Sequence, residues 1–216
     1  MIIAFSGKAG AGKDTCYGLT QRLFLKRLQV PTLPSDKEIL DNEVKAWTGW
    51  TKELFASKLK EFVASGIGCK VTDLDKQDFK ISTLPECWNL VGEGPMTVRE
   101  MLIRVGEGMR NVVHPDIWVN FLFEKYKTRR RKNEEEEYND VYPDWLITDV
   151  RYPNEVTRIQ ESGGIVIRVV SPNERIIDSP SETSLDGWPF KFVVTNDGDL
   201  AHLESQIEKI LQEINL

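Results

Sequence analysis

The chain has 216 residues, of which 40% are hydrophobic and 29% are charged, and its formal net charge is −6. This size and apolar content suit one α/β domain with an insertion, and the longest apolar runs are far too short to span a bilayer. The acidic balance argues against broad nucleic-acid binding, so we expect neither a nucleic acid nor a membrane as a partner.

The first predicted elements are a short buried strand over residues 1–5, a glycine-rich loop, and a helix over 13–28. The loop reads Gly7, Lys8, Ala9, Gly10, Ala11, Gly12, Lys13, Asp14, Thr15. This G-x-x-x-x-G-K pattern predicts a phosphate-binding loop, because its backbone N–H groups and the positive end of the next helix converge on a polyphosphate. A glycine-rich turn would explain the glycines but not Lys13, which we expect to hold the β and γ phosphates.

One position departs from the usual form of this loop. The residue after Lys13 is normally Ser or Thr, whose hydroxyl ligates Mg²⁺, whereas here it is Asp14, followed by Thr15. An aspartate can hold the water shell of the metal or act as a favourable charge at a helix N-terminus. The sequence therefore leaves open which side chain is the direct metal ligand.

The next part of the chain has weaker patterns. Residues 30–34 are expected to be extended, and 36–51 to form a loop with one helical turn. An apolar stripe predicts a second helix over 52–65. Residues 69–96 have little periodicity and are expected to be mobile or irregular.

Two more helices are predicted in the central region. A capping-box pattern over 97–100 opens the first, which we expect to end near residue 112, and the second covers 117–127. The basic run 129–132 is followed by the acidic run 134–137. Such a split charge run is typical of a solvated loop, with an arginine-bearing lid as the alternative.

Three arginines of the first central helix are candidates for binding a phosphate. Arg99 and Arg110 are eleven residues apart, close to three helical turns, so they lie roughly on one face. Arg104 is offset from both by more than about 100°. Such spaced guanidinium groups could bind the phosphate of an acceptor.

The C-terminal third alternates strands and helices. Inner strands are predicted over 145–148, 165–170 and 190–195, with helices beginning at Pro153 and over 199–214. Alternating strands and helices predict a parallel sheet covered on both faces, with ligands bound at the carboxyl ends of its strands.

Two side chains follow the first of these strands. Asp149 stands where an acidic group approaches the Mg²⁺ of a phosphate-loop enzyme, although it could also cap the next element. Arg151 lies two residues further and would neutralise charge on a transferred phosphoryl group. The alternative for Arg151 is a salt bridge with Glu155.

The cysteines indicate the compartment. Cys16, Cys69 and Cys87 are odd in number and lack metal-ligand spacing, so we expect reduced thiols in a cytoplasmic protein. Met1 leads directly into the first strand, so we expect no signal peptide. With only two histidines, a histidine-based metal site or triad is not expected.

Several motifs spread over nearly the whole chain carry a family resemblance. In chain order they are Gly12-Lys13-Asp14-Thr15, Phe55-Ala56-x-x-Leu59-Lys60, Arg99-Glu100-x-Leu102 with Gly106 and Arg110, Asp116-x-Trp118, the run Thr148-Asp149-Val150-Arg151-Tyr152-Pro153-Asn154-Glu155, and Asn196-Asp197-Gly198. In that order they resemble the bacteriophage deoxynucleoside monophosphate kinases.

The resemblance implies a P-loop NTPase-type α/β fold, with residues 1–216 as one kinase domain and a largely helical substrate-binding and lid insertion at about 36–144. It implies transfer of the γ-phosphoryl group of ATP, with Mg²⁺, to a deoxynucleoside monophosphate, giving ADP and the diphosphate. A monomer or homodimer in the cytoplasm, of the host cell if phage-encoded, is expected.

The resemblance also implies roles for particular residues. The expected catalytic residues are Lys13, Arg110, Arg151 and Asp149. Residues 7–15 and Asn196 are expected to bind ATP, with helix capping as the alternative for the turn at Asn196. Asp14, Thr15 and Asp149 are the candidates for holding Mg²⁺. The acceptor is expected to contact Lys60, Arg99, Arg104, Arg110 and Arg151.

Two other functions remain open at this point. A kinase of another small acceptor, such as dephospho-coenzyme A, would share the loop and the sheet. A nucleotide-binding switch would bind nucleotide without acceptor-stimulated ADP release, although no switch-like signature stands out. Measuring kinase activity with a panel of acceptors distinguishes these hypotheses.

Overall fold

The computed structural model describes residues 1–132, 138–175 and 179–216, with only the backbone described for 129–132 and 138–140. Its strands are β1 (Ile2–Ser6), β2 (Trp50–Glu53), β3 (Arg129–Lys132), β4 (Tyr138–Val141), β5 (Asp144–Val150), β6 (Ile165–Val170) and β7 (Phe192–Thr195). Its α-helices are α1 (Lys13–Arg27), α2 (Asp36–Leu40), α3 (Lys45–Thr48), α4 (Ser57–Ile67), α5 (Gln77–Ile81), α6 (Val98–Gly108), α7 (Ile117–Phe123), α8 (Pro153–Glu161), α9 (Pro180–Thr183) and α10 (Leu200–Glu213).

Within the described residues, five strands form one all-parallel sheet in the order β2-β5-β1-β6-β7. The central strand β1 is buried along its whole length, as expected for a sheet covered on both faces. Strands β3 and β4 form a separate antiparallel pair. The predicted α/β fold with a parallel sheet flanked by helices is confirmed, and it is consistent with a P-loop NTPase core.

The described chain divides into two compact units, Met1–Leu54 with Tyr126–Leu216, and Phe55–Lys125. The first unit contains the sheet, and its core joins Phe5 of β1 to Leu25 of α1 and Ile207 of α10. The second unit is built from α4 to α7, with a core around Val63 and Val98. Neither unit contains, in its described part, a helix long and apolar enough to cross a membrane.

Strand β2 was not predicted from the sequence. The region was interpreted as the end of a loop and the start of a helix, but Trp50–Glu53 pairs in parallel with β5, and helix α4 begins only at Ser57. The ring of Trp50 stacks on that of Phe24 at 4.9 Å between centroids. Tertiary pairing and this aromatic contact hold a four-residue strand that has no alternating pattern of its own.

The central region also differs from expectation. Residues 69–96, expected to be irregular, contain α5 and short 3₁₀ turns at Val71–Asp75 and Glu86–Trp88. Helix α6 does begin at the predicted capping box, because Thr97 accepts from the N–H of Glu100 at 3.2 Å. It ends at Gly108, earlier than predicted, and continues as a π-helical turn over Met109–Val113.

Other boundaries shift as well. Helix α7 ends at Phe123 rather than near 127, and the last strand begins at Phe192 rather than at 190. The basic run 129–132 was expected to be a loop but forms strand β3, whose backbone pairs with β4. The acidic run 134–137, which was also expected to be a loop, lies outside the described residues. Residues 129–132 are therefore a strand because their backbone pairs with β4, although their charged composition favours a loop.

Candidate active site

The phosphate loop connects β1 to α1 at the carboxyl edge of the sheet, as predicted. Gly10 and Gly12 adopt left-handed conformations, with φ of 84° and 101°. Gly12 stands at the N-cap of α1 and no side chain caps this helix end. The N-terminal N–H groups of α1 therefore remain available to an anion, and the helix dipole adds a favourable field there.

Asn196 follows β7 and contacts this loop directly. Its side-chain Nδ2 donates to the carbonyl of Ala11 at 3.0 Å, and its backbone N–H donates to Val170 at 2.7 Å. The N-cap of α10 is Asp199, which accepts from the N–H of His202 at 2.8 Å. The alternative of helix capping at Asn196 is therefore wrong. Asn196 instead joins the end of β7 to the phosphate loop by its hydrogen bond to Ala11.

Lys13 lies at the end of the loop and is half-buried. Its Nζ donates to the carbonyls of Gly7 at 2.7 Å and of Lys8 at 2.9 Å. Burial, together with the nearby guanidinium of Arg151, lowers the pKa of Lys13 to about 8. Carboxylates act on this pKa in the opposite direction, from Glu182, Asp14 and Asp149. Lys13 is thus a cation close to the loop, Arg151 and three acidic groups.

Asp14 is anchored by two neighbouring strands. Its Oδ1 accepts from Nζ of Lys52 on β2 at 3.1 Å and from the hydroxyl of Thr148 on β5 at 3.3 Å. The pairing of β1 with β5 shifts register between Ala4 and Ser6, opposite the stretch that contains Thr148 and Asp149. Such irregularities are common beside active sites, where they redirect a side chain.

The donor set suits Mg²⁺. Carboxylate and hydroxyl oxygens are the ligands that this hard cation prefers, and Mg²⁺ at phosphate sites takes only one or two protein ligands with the rest from phosphate and water. Asp14 and Thr15 at the start of α1 and Asp149 at the end of β5 offer such oxygens. Among the described residues there is no group of three or more His, Cys, Asp or Glu side chains that could hold a metal ion.

Arg151 and Glu155 interact differently from the salt bridge considered as the alternative. The carboxylate of Glu155 accepts from the backbone N–H of Arg151 at 2.7 Å and of Tyr152 at 3.1 Å, which caps α8. The guanidinium of Arg151 forms its ion pair with Glu182 of α9. The side chain of Glu182 is only 5% exposed, and its Oε2 also accepts from the N–H of Ala9 at 2.7 Å.

The helical unit contains four of the five residues that are predicted to contact the acceptor, all except Arg151. Three of them have partners within that unit: Lys60 pairs with Asp75 at 2.6 Å, Arg99 donates to Gln77 at 2.8 Å, and Arg104 pairs with Glu93. Arg110 lies in the π-helical turn, so the α-helical spacing that relates it to Arg99 does not extend to it. The role of these residues stays a prediction.

Two residues that contact the loop or its neighbours, Lys52 and Glu182, were not predicted from the sequence. Lys52 was assigned to a helix, and Glu182 lies in a proline-containing polar stretch that was interpreted as a loop. No local pattern marks either side chain, because each reaches the loop only through the packing of β2 or α9.

Comparison with known families decides the identity of the chain. A family model described as deoxynucleotide monophosphate kinase matches residues 44–207, which is most of the chain. The chain belongs to this family. The match begins after the phosphate loop, so the loop at 7–15 is an observation separate from the match. The chain is therefore a nucleotide kinase, a phosphotransferase whose substrate is a deoxynucleoside monophosphate, and the family predicted from its motifs is confirmed.

Proposed function

We propose that the chain transfers the γ-phosphoryl group of ATP to a deoxynucleoside monophosphate, producing ADP and the deoxynucleoside diphosphate. The observation that carries the choice of donor is the half-buried Lys13 in a loop whose helix N-terminus has no side-chain cap. A polyphosphate would satisfy the N–H groups of this helix end and the ammonium of Lys13 together. Asn196, beside the loop, is the proposed contact to the donor base.

Phosphoryl transfer requires alignment and neutralisation of charge more than covalent chemistry. In this proposal Lys13 holds the β and γ phosphates, and Arg151 stabilises the charge on the transferred group. Mg²⁺ would neutralise phosphate oxygens and would be held by Asp149 with Asp14 or Thr15. The irregular pairing of β5 beside Asp149 and the anchoring of Asp14 support this assignment.

We assign the acceptor to the helical unit Phe55–Lys125, which lies within the predicted insertion at about 36–144. Its candidates for holding the monophosphate are Lys60, Arg99, Arg104 and Arg110. Three of them have acidic or amide partners, so a bound phosphate would replace those contacts. Charge-assisted hydrogen bonds to phosphate are strong enough to compete with such exposed pairs.

The cellular setting belongs to the proposal as well. Cys16, Cys69 and Cys87 are all free in the structure, which supports a reducing compartment such as the cytoplasm of a host cell for a phage-encoded enzyme. The protein is proposed to act as a monomer or a homodimer.

An assay of ADP release across the deoxy- and ribonucleoside monophosphates, with ATP and Mg²⁺, tests this function. We expect release that depends on a deoxynucleoside monophosphate and that is lost when Mg²⁺ is chelated. Dephospho-coenzyme A serves as the competing acceptor in the same assay. Release stimulated by dephospho-coenzyme A alone, or release that no acceptor stimulates, would contradict the proposal.

A further inference from the structure

The carboxylate of Glu182 contacts two groups that a phosphate would use. Its Oε2 accepts from the backbone N–H of Ala9 in the phosphate loop at 2.7 Å, and its Oε1 pairs with the guanidinium of Arg151. The side chain is only 5% exposed. A loop N–H and an arginine fork together form the kind of site that binds phosphate oxygens. In this structure a side chain of the protein fills it.

Further contacts join the residues around Glu182 to the phosphate loop. We call residues 179–186 the acidic arm, because Glu182 and Asp186 both reach the loop from it. Asp186 pairs with Nζ of Lys8 at 3.3 Å. Glu182 also lies near enough to Lys13 to act against the lowering of its pKa. Two carboxylates of one short stretch thus contact adjacent residues of the phosphate loop.

A carboxylate and a phosphate cannot both occupy this position. Each would need the N–H of Ala9, and two anions within hydrogen-bonding distance of one group repel strongly in a buried setting. The donor must therefore displace Glu182 before its phosphate contacts Ala9 and Arg151. Displacement has a cost, because Glu182 loses a hydrogen bond and an ion pair that are both charge-assisted.

We propose that Glu182 is an internal ligand of the phosphate loop, which occupies a phosphate position in the free protein and which the donor displaces on binding. This inference rests on the proposed function, because it assumes that the loop holds the donor. It adds a residue that sets donor affinity and that keeps Arg151 bound to the protein itself until a phosphate arrives. Glu182 thereby lowers the affinity of the loop for any polyphosphate.

The test measures binding by calorimetry for the wild type and for Glu182→Gln, with inorganic tripolyphosphate and with ATP as probes. The amide of Gln keeps the size of the side chain and can still accept from Ala9, but it has no charge. We expect Kd to fall about tenfold for both probes, since a charge-assisted contact is about twice as strong as a neutral one. An equal change for the two probes indicates competition with phosphate rather than with the base.

Two further variants complete the design. Glu182→Asp keeps the charge but shortens the side chain, so it should also tighten binding, and it serves if the Gln variant folds poorly. Glu174→Gln makes the same change of charge in a residue that accepts from the N–H of Ser171 at 3.3 Å. We expect its Kd to stay within about twofold of the wild type.

The outcomes separate this inference from the proposed function. Unchanged or weaker binding in both Glu182 variants, with a fall in kcat, would overturn it, because Glu182 would then be a residue that positions Arg151 for transfer. If the Glu182 variants bind the probes more tightly but the wild type shows no acceptor-dependent ADP release, the internal ligand is supported and the proposed reaction is contradicted. Folded proteins that bind neither probe would overturn both.

Discussion

The side chain of Asn196 occupies the space that a side chain on Gly12 would need. A Cβ placed on Gly12 would lie 2.4 Å from Nδ2 of Asn196, the atom that donates to the carbonyl of Ala11. This contact joins the end of β7 to the phosphate loop just before α1. The loop therefore depends on a glycine for two reasons, its left-handed backbone and the close approach of Asn196.

Gly12→Ala should disrupt the loop. The φ of 101° is unfavourable for alanine, and the new methyl group would push Asn196 away from Ala11. We expect donor affinity to fall at least tenfold and the free energy of unfolding to fall by about 1–3 kcal/mol. Calorimetry and denaturant titration measure the two effects.

Gly18→Ala is the matched control for that variant. Gly18 lies inside helix α1, and a Cβ there would meet no atom within 4 Å. Alanine favours a helix interior over glycine by about 1 kcal/mol, so stability should rise slightly while donor affinity stays unchanged. Equal loss of affinity in both alanine variants would show that the interpretation of the loop is wrong.

Lys13→Met should remove phosphoryl transfer and leave the fold intact. Methionine keeps much of the length and apolar contact of the side chain but has no charge for the β and γ phosphates. We expect kcat to fall by about 100-fold or more, as when other charge-stabilising groups are removed from active sites. The ADP-release assay gives the rate, and circular dichroism checks the fold. Normal turnover in a folded variant would remove Lys13 from the mechanism.

Donor binding should weaken at alkaline pH. The pKa of Lys13 is lowered to about 8, chiefly by burial, so the free protein loses this charge as the pH rises through 8. A bound polyphosphate favours the protonated form, so binding above pH 8 must take up a proton. We expect Kd to be constant below about pH 7.5 and to rise about tenfold per pH unit above about 8.5.

The Lys13→Met variant provides the control for this pH dependence. Its donor Kd should be weak and nearly constant from about pH 7 to 9.5, because the titrating ammonium is gone. A wild-type Kd that does not change over that range would contradict the lowered pKa.

Trp118→Phe should destabilise the helical unit. Nε1 of Trp118, a residue only 2% exposed, donates to the carbonyl of Gly106 at 3.1 Å and so joins α7 to α6. Phenylalanine loses this hydrogen bond and part of the packing, at a cost of about 1–3 kcal/mol in unfolding free energy. Trp47→Phe is the control, because Trp47 is 56% exposed and its replacement should cost less than about 0.5 kcal/mol.

The three thiols should differ in reactivity. Burial raises the pKa of Cys16 to about 12, whereas Cys87 is exposed. The thiolate is the reactive form, so iodoacetamide at pH 8 should modify Cys87 first and leave Cys16 unmodified in the folded protein. Mass spectrometry of the digested protein measures the modification at each site. Modification of Cys16 as fast as that of Cys87 would contradict the burial of α1 against the sheet.

The elements that could be predicted from the sequence are those encoded by neighbouring residues. The apolar run at β1, the G-x-x-x-x-G-K spacing that ends in Lys13, and the capping box at Thr97 each act over a few positions, so their signals are local. The same holds for β5, whose apolar run ends near Asp149. These patterns sufficed for the fold class and the family.

The packing of the folded chain brings distant side chains together at the loop, and the sequence does not show which ones. Strand β2 exists because it pairs with β5, although its residues carry no strand pattern. Glu182 contacts Ala9 across 173 positions of sequence, and Asn196 contacts Ala11 across 185. Such contacts depend on how whole strands and helices pack, and this packing cannot be predicted from the spacing of residues along the chain. The fold and the phosphate loop were therefore predictable, whereas the partners of the loop were not.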